Sequence, residues 1–251
     1  MTNKNHLINP NNRPKSRFKV YCDFDETVTV HDVGSQILAQ FGTQIAFDVW
    51  SDFDSGKKSA AECLKIACES VSGMDEEGFN RIVKAQKLKP GFVEFAEYCR
   101  TNVIDLHIDS DGFSCYIREI LAHNGLAHIP FWTNTIELQE DGTLSHEFPN
   151  QREGCDRCAS CKCALLLTTS DDTDTIVYIG DGYSDWCPAM MADVVFACRD
   201  LKRQCGELGI PHHPFEDFFE AQAILANYLK ERPKYRREQA HRRRKELIII
   251  E

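Results

Sequence analysis

The chain reads FKVYCDFDET over residues 18–27, and this stretch gives the clearest indication of the fold. Its first half, residues 18–22, is a short run rich in aromatic and apolar residues, which is typical of a buried parallel strand. Two carboxylates, Asp23 and Asp25, follow at its end. In an open α/β sheet, functional side chains gather at the carboxyl ends of the strands. The stretch therefore predicts a strand that leads into a functional site.

Two more strand-like runs along the chain also end in polar residues. Residues 103–108 lead to Ser110, and residues 175–179 lead through Gly180 to Asp181. Helical patterns separate these runs, and strands that alternate with helices indicate a parallel sheet with helices on both faces. We therefore expect an α/β, Rossmann-like fold with three polar clusters at one edge of its sheet.

Residues 34–88 interrupt this alternation, because they show helical patterns and no strand signal. Ser59 and Glu62 have the spacing of a capping box, and a Pro-Gly pair at 90–91 ends the helical stretch. The sequence thus predicts four parts: a flexible leader (1–17), a core domain (18–33 and 89–229), a small helical cap (34–88) and a basic C-terminal tail (230–251).

Composition limits the classes of function. The 251 residues carry a net charge of −10. Residues 230–251 hold nine Lys or Arg and four Glu, a net +5, so the rest of the chain carries −15. An acidic body argues against a nucleic-acid substrate. The basic tail is expected to be a solvated extension, or alternatively an arm for an acidic partner. Without a membrane-length apolar run or a secretory signal, we expect a cytoplasmic protein with no membrane partner.

Taken together, the polar clusters resemble the four motifs of the haloacid dehalogenase superfamily of phosphatases. The matching segments appear in the family's order: residues 23–29 (DFDETVT), Ser110, Lys162 and residues 180–185 (GDGYSD). A helical cap between the first two motifs is similar to the C1 cap of the phosphoserine-phosphatase-like subfamily (IB). The resemblance implies a phosphoric monoester hydrolase that acts on a small phosphorylated metabolite.

The resemblance also assigns the chemical steps. Asp23 would be the nucleophile that forms an aspartyl-phosphate intermediate. Asp25 would protonate the leaving oxygen and then deprotonate water, so its pKa should be raised by the charge of Asp23 and by partial burial. Thr27 would orient Asp25 or its loop. Mg²⁺ would be held by the carboxylates of Asp23 and Asp181 and the main-chain carbonyl of Asp25, with Asp185 as a ligand or close by.

Five residues are expected to contact the phosphate or the rest of the substrate. Ser110 would donate a hydrogen bond to a phosphoryl oxygen, and Lys162 would add positive charge. Asp111 and Gly112 follow Ser110 directly. Asp32, next to the cap, would contribute to specificity, and it also has the character of a helix N-cap.

Four of the twelve cysteines lie between residues 155 and 163. Two overlapping C-x-x-C spacings at this density are typical of zinc ligands. However, the sequence shows no second ligand pair elsewhere, and a structural zinc usually joins distant segments. The sequence therefore favours reduced thiols that shape the loop before Lys162 over a Zn²⁺ ion held by Cys155, Cys158, Cys161 and Cys163.

A cysteine-rich loop before the catalytic lysine is similar to two branches of the superfamily. One is the methionine-salvage phosphatase for 2-hydroxy-3-keto-5-methylthiopentenyl-1-phosphate, which residues 22–25 (CDFD) and 198–201 (CRDL) resemble. The other is the phosphoethanolamine/phosphocholine phosphatase branch, which residues 181–188 (DGYSDWCP) resemble. Phosphoserine phosphatase is a poorer match, because residues 32–34 (DVG) replace an expected Glu. The substrate stays open between these alternatives.

Three weaker alternatives use the same scaffold. A phosphotransferase would share the motifs. A phosphonate-cleaving enzyme would need a cap lysine, for which Lys57, Lys58 and Lys65 are candidates. A non-catalytic phosphate-binding protein is disfavoured, because the set of motif residues is intact.

Overall fold

A computed structural model of the chain describes residues 18–231 and 237–249. Its centre is one seven-stranded sheet. The strands are β1 (Phe18–Cys22), β2 (Asp105–Phe113), β3 (Phe131–Leu138), β4 (Leu144–Glu147), β5 (Thr175–Gly180), β6 (Val194–Ala197) and β7 (His213–Pro214). Their order across the sheet is β4-β3-β2-β1-β5-β6-β7. Only the β3–β4 pair is antiparallel.

Helices lie in most connections between the strands, and two more follow the last strand. Before β2 lie α1 (Val33–Phe41), α2 (Ile45–Asp48), α3 (Trp50–Asp54), α4 (Ala60–Glu69), α5 (Glu76–Ala85) and α6 (Phe92–Thr101). After β2 lie α7 (Ser114–His123), α8 (Lys162–Thr169), α9 (Trp186–Met191), α10 (Arg199–Glu207), α11 (Phe218–Glu231) and α12 (Glu238–Ile249). No helix among the described residues is both long and apolar enough to cross a membrane.

The sheet separates two apolar clusters. Successive residues of a strand point to opposite faces, and in β1 the side chain of Val20 packs in one cluster while that of Tyr21 packs in the other. On the first face, Phe92 of α6 packs edge-on against Phe218 of α11, with 4.8 Å between ring centroids. On the second face, α8, α9 and α10 contribute residues such as Leu166. The predicted α/β class with helices on both faces is confirmed.

The order of the strands brings the three predicted polar clusters to one edge. β1 lies between β2 and β5 and is parallel to both, with Cys22 in register with Ile108 and with Ile179. The N–H of Asp23 continues this pairing by donating to the carbonyl of Ile179 at 2.9 Å. The residues that follow β1 and β5 therefore lie side by side.

Residues 33–85 form five helices, α1 to α5, joined by turns, and contain no strand. Ser59 and Glu62 form both hydrogen bonds of a capping box at the start of α4. Asp32 caps α1 by accepting from the N–H of Ser35 at 2.7 Å. These caps satisfy N–H groups that have no partner inside the helix, which explains where both helices begin.

The C-terminal region differs from the predicted solvated extension, whereas the predicted leader, residues 1–17, lies outside the described residues. Lys230 belongs to α11, and α12 packs against α9. Ala240 is fully buried, and the buried Arg244 donates to the carbonyl of Met191 at 2.5 Å and pairs with Asp193 at 3.2 Å. The sequence does not reveal this packing, because the residues of α12 that contact the core are interspersed among exposed charged residues.

Arg244→Ala should lower the free energy of unfolding by about 3 kcal/mol, because it removes the buried partner of Asp193. Urea denaturation measures this loss, and Arg242→Ala, at an exposed position of the same helix, should change stability by no more than about 0.5 kcal/mol. Equal effects of the two substitutions would show that α12 does not dock on the core in solution.

Candidate active site

A buried lysine lies at the centre of the sheet edge where the three polar clusters meet. Lys162 is the first residue of α8, and its Nζ lies 2.7 Å from Oδ1 of Asp23 and 2.6 Å from Oδ1 of Asp185. Burial acts to lower the pKa of the ammonium group, but Asp185 and Asp23 act in the opposite direction, and the net result is a pKa well above the usual value. Lys162 therefore carries its charge throughout the physiological pH range.

Asp185 holds Lys162 in place. Its Oδ1 also accepts from the hydroxyl of Tyr178 at 2.7 Å, and its Oδ2 accepts from the N–H groups of Asp181 and Gly182, both at 2.9 Å. The chain approaches so closely here that a Cβ on Gly180 would lie 2.5 Å from Oδ2 of Asp185. Because both oxygens already accept from protein donors, the geometry favours the predicted position of Asp185 beside a metal over direct ligation.

The carboxylates of Asp23, Asp181 and Asp185 form a compact acidic group. One oxygen from each lies within 4.8 Å of the others. Burial and the charge of Asp185 raise the pKa of Asp181 to about 6, and burial raises that of Asp23 well above its usual value, although Lys162 acts against this. A bound cation would offset both penalties, and carboxylate oxygens are the donors that Mg²⁺ prefers. The residues present therefore fit this ion.

Thr27 supports the acidic group and not Asp25. Its hydroxyl donates to Oδ1 of Asp181 at 3.0 Å, so of the two expected roles, orienting Asp25 or orienting its loop, the bond fits the second. The reason is the pairing of β1 with β5, which places the loop after β1 beside the loop that contains Asp181.

Asp25 is held by two donors. The hydroxyl of Tyr116 donates to its Oδ2 at 2.6 Å, and the N–H of Val33 donates to its Oδ1 at 2.8 Å. Burial raises its pKa to about 8, with the charge of Asp32 as the next contribution. The pKa of Asp25 is raised, as predicted, but the neighbouring charge that contributes is that of Asp32 and not that of Asp23. A carboxyl group with this pKa holds a proton at neutral pH and can release it to a base.

The segment at the end of β2 is shaped around Asp25. Oγ of Ser110 accepts from the N–H of Gly112 at 2.9 Å, which leaves the hydroxyl proton of Ser110 available to a ligand. A Cβ on Gly112 would lie 2.0 Å from the hydroxyl oxygen of Tyr116 and 2.5 Å from Oδ2 of Asp25. Only glycine therefore allows the Tyr116–Asp25 pair to lie over this strand end.

Asp111 lines the cavity, and its side chain is bonded to the loop that leads to Lys162. Its Oδ1 accepts from the N–H groups of Ala159 at 2.9 Å and Ser160 at 2.7 Å. A carboxylate repels phosphate, and here it fixes the loop that leads to Lys162. Its role is therefore to position this loop.

A cavity of about 540 Å³ opens above these groups. Its floor includes Asp23, Asp25 and Ser110, whereas the apolar side chains that line it come mainly from the helical region at 33–85: Leu38, Trp50, Phe53 and Leu64. Asp32 also lines this cavity while it caps α1, so its two predicted roles are compatible.

Sequence reasoning missed several residues of this site. Tyr116 and Tyr178 look like core residues in the sequence, because a buried tyrosine in a helix or strand gives no sign of where its hydroxyl points. Arg199 forms an ion pair with Glu26 and lies 3.7 Å from Oδ2 of Asp181. Glu26 (φ 57°) and Arg199 (φ 45°) both have left-handed backbones, and strain of this kind often marks functional sites.

Asp25→Asn should make the protein more stable relative to wild type as pH rises. The pKa of Asp25 is about 8 in the folded chain and about 3.9 in an unfolded one. Between these values the folded state retains a proton that the unfolded state has lost, so this group's contribution to stability falls with rising pH. Asn cannot ionise. Urea unfolding with EDTA should show a relative gain of roughly 2 kcal/mol or more from about pH 5 to about pH 8.

Asp172→Asn, at an exposed position, is the control and should follow wild type across this pH range. A pH-independent difference between wild type and Asp25→Asn would show that Asp25 titrates normally in the folded protein.

Comparison with known proteins places this site in a family. A model of the family described as Putative Phosphatase matches residues 18–204. A Brevibacillus brevis protein described as 2-hydroxy-3-keto-5-methylthiopentenyl-1-phosphate phosphatase is 29% identical over 218 residues, which cover 84% of this chain and 96% of that protein. A Bacillus velezensis protein with the same description is 27% identical over 221 residues, covering 83% of this chain and 89% of that protein.

Solved structures share the fold. A phospho-aspartyl intermediate analogue of phosphoserine phosphatase has a TM-score of 0.58 at 16% identity, covering 76% of this chain and 91% of that one. A probable phosphoserine phosphatase from Vibrio cholerae has a TM-score of 0.63 at 14% identity, covering 89% and 69%. The family match spans most of the chain: the chain belongs to the Putative Phosphatase family and is a phosphoric monoester hydrolase, with motifs and a fold that resemble those of the haloacid dehalogenase superfamily.

Proposed function

We propose that this phosphatase is Mg²⁺-dependent and hydrolyses a small phosphorylated metabolite through an aspartyl-phosphate intermediate on Asp23. One observation carries the proposal. Asp23 lies at the floor of the cavity with Oδ1 bonded to Lys162, and Asp25, whose pKa is about 8, lies two residues later on the same loop. A nucleophile and a proton donor are thus adjacent under one substrate-sized cavity.

In the first step, the free oxygen of Asp23 attacks the phosphorus atom, and the bond from phosphorus to the ester oxygen breaks. Asp25 gives its proton to the leaving alkoxide. In the second step, water attacks the phosphorus atom of the aspartyl phosphate and Asp25 takes a proton from that water. The bond between phosphorus and the Asp23 oxygen then breaks, which releases phosphate and restores both carboxyl groups.

The remaining residues stabilise charge during these steps. Lys162 and the free hydroxyl proton of Ser110 face the developing negative charge from fixed positions, which is the arrangement that lowers a barrier most effectively. Mg²⁺, held by Asp23, Asp181 and the carbonyl of Asp25 with Asp185 beside it, would neutralise the phosphoryl charge that otherwise repels a carboxylate. Asp185 would act by positioning Lys162.

We further propose that residues 34–88 act as a cap over a core formed by residues 18–33 and 89–229. The apolar wall of the cavity comes mainly from this region, whereas the acidic floor comes from the ends of the strands. Such a lid would exclude water during the first step and would select the substrate.

The preferred substrate is 2-hydroxy-3-keto-5-methylthiopentenyl-1-phosphate or a close analogue. The apolar wall formed by Leu38, Trp50, Phe53 and Leu64 suits a methylthioalkyl tail, and the curated relatives carry this substrate in their names. A second candidate is phosphocholine or phosphoethanolamine, because Asp32 and Asp54 line the same cavity beside Trp50 and Phe53, and acidic and aromatic groups attract a cationic head group.

Two further expectations follow from the same residues. A phosphonate-cleaving reaction is disfavoured, because Lys57 and Lys58 pair with Asp52, and Lys65 lies near Glu69. A cytoplasmic location is favoured, because all twelve cysteines are free thiols, which persist in a reducing compartment.

Asp23→Asn should lower kcat for p-nitrophenyl phosphate by about a thousandfold or more, because an amide cannot form the intermediate. EDTA should abolish wild-type turnover, and Mg²⁺ should restore it. Asp105→Asn, at the opposite end of the strands with a half-exposed side chain, should retain wild-type kinetics. Undiminished turnover by Asp23→Asn, or by metal-free wild type, would refute the proposed chemistry.

Phe53→Ala should raise KM for the methylthio substrate by about tenfold through loss of apolar contact, and it should leave KM for a small substrate such as acetyl phosphate nearly unchanged. Phe47→Ala, at an exposed aromatic position of the same region, should have no effect on either substrate. A panel that includes phosphocholine and phosphoethanolamine decides the substrate: a higher kcat/KM for either of these would replace the methylthio assignment.

A further inference from the structure

Five thiols line a second cavity, of about 240 Å³, next to the loop that precedes Lys162. Three come from the loop, one from the first turn of α8 and one from α9: Cys155, Cys158, Cys161, Cys163 and Cys187. None of them takes part in the phosphatase chemistry described above. Thiols at this density are typical of a metal site.

The three loop thiols have the spacing of metal ligands. Their sulfur atoms lie within 4.8 Å of one another, and the Cys155 and Cys158 sulfurs are 3.7 Å apart. In a tetrahedral zinc site with Zn–S bonds of about 2.3 Å, neighbouring sulfurs are separated by ~3.8 Å. The loop therefore presents three sulfurs at close to the spacing that zinc requires, without a large rearrangement.

The structure supplies a thiol from a distant segment, which the sequence did not reveal. Cys187 of α9 lines the same cavity as Cys163, but its sulfur atom does not belong to the group of three that lie within 4.8 Å of one another. The sequence shows no second ligand pair outside the loop, whereas the packing of α8 against α9 brings one candidate thiol, that of Cys187, into the same cavity. Joining two segments in this way is the usual role of a structural zinc.

Two arginines act electrostatically on such a site, although Arg157 also pairs with Asp156 at 3.6 Å and Arg243 with Glu246 at 3.4 Å. Four thiolates and one Zn²⁺ ion carry a net charge of −2. The charges of Arg157 and Arg243 both act on the thiol of Cys187, and Arg243, from α12, lines the cavity. These cations would offset the excess negative charge.

We propose that Cys155, Cys158, Cys161 and Cys187 bind one structural Zn²⁺ ion. Each thiol loses its proton to solvent when the metal binds. The ion would fix the loop that ends at Lys162. The N–H groups of Ala159 and Ser160 in this loop donate to Asp111. The loop also places the guanidinium carbon of Arg157 5.9 Å from the ring centroid of Tyr183 and 5.7 Å from that of Trp186.

The first test is the metal content of the full chain, purified with a phosphine reductant and then dialysed without chelator. Wild type should contain about one equivalent of zinc. Asp181→Asn, in the acidic group, should contain the same amount, which distinguishes this site from the proposed magnesium site. Cys115→Ser, a partly exposed thiol of α7, is the matched control and should also retain its zinc. Cys158→Ser should lose most of it.

Replacement of zinc by Co²⁺ tests the ligand set in protein that stays folded. Wild type should show the intense visible bands of tetrahedral cobalt together with thiolate-to-cobalt charge transfer. Cys187→Ser should weaken the charge transfer and speed metal release to a chelator, and an unchanged spectrum would exclude Cys187 as the fourth ligand. Zinc-free wild type that takes up no metal from added zinc, or a Cys155–Cys158 disulfide in its place, would overturn the proposal.

Discussion

Lys162 is buried between Asp23 and Asp185, and its position determines the rest of the site. A buried ammonium group is stable only if carboxylates surround it with good geometry, and here it has two within 2.7 Å. Asp185 is in turn fixed by Tyr178 and by the N–H groups of Asp181 and Gly182. Removal of the lysine would leave several buried acids without a positive partner.

One lysine does not neutralise the carboxylates around it. Asp23, Asp181 and Asp185 lie together, and burial raises the pKa of Asp23 and Asp181. This imbalance explains why a divalent cation fits the site and why a dianionic substrate would need one. Asp25 lies in a different environment. It accepts from Tyr116 and Val33, and with a pKa of about 8 its carboxyl group is protonated at a pH where Asp23 must be ionised to attack.

Much of this site could be predicted from the sequence, because parallel strands bring residues that follow them to one edge. The positions of Asp23, Ser110 and Asp181 at this edge could be predicted from the assignment of the strands and the order of the motifs. The partners of their side chains could not be predicted in this way. The hydroxyl of Thr27 donates to Asp181 because of strand order, and Tyr116 contacts Asp25 because Gly112 lacks a side chain. Helix packing places Cys187 in the same cavity as the cysteine loop. The docking of α12 through Arg244 was hidden in a basic run for the same reason.

If Asp23 is the nucleophile, it carries a phosphoryl group during turnover, and chemical trapping can detect that bond. Wild-type enzyme is quenched during turnover and reduced with borohydride, which converts an aspartyl phosphate to homoserine. Peptide mass spectrometry then locates the change. A phosphorylated Asp23 would give homoserine at position 23 and unmodified Asp at positions 25 and 181. Homoserine at another position, or none under conditions of continued turnover, would contradict this role of Asp23.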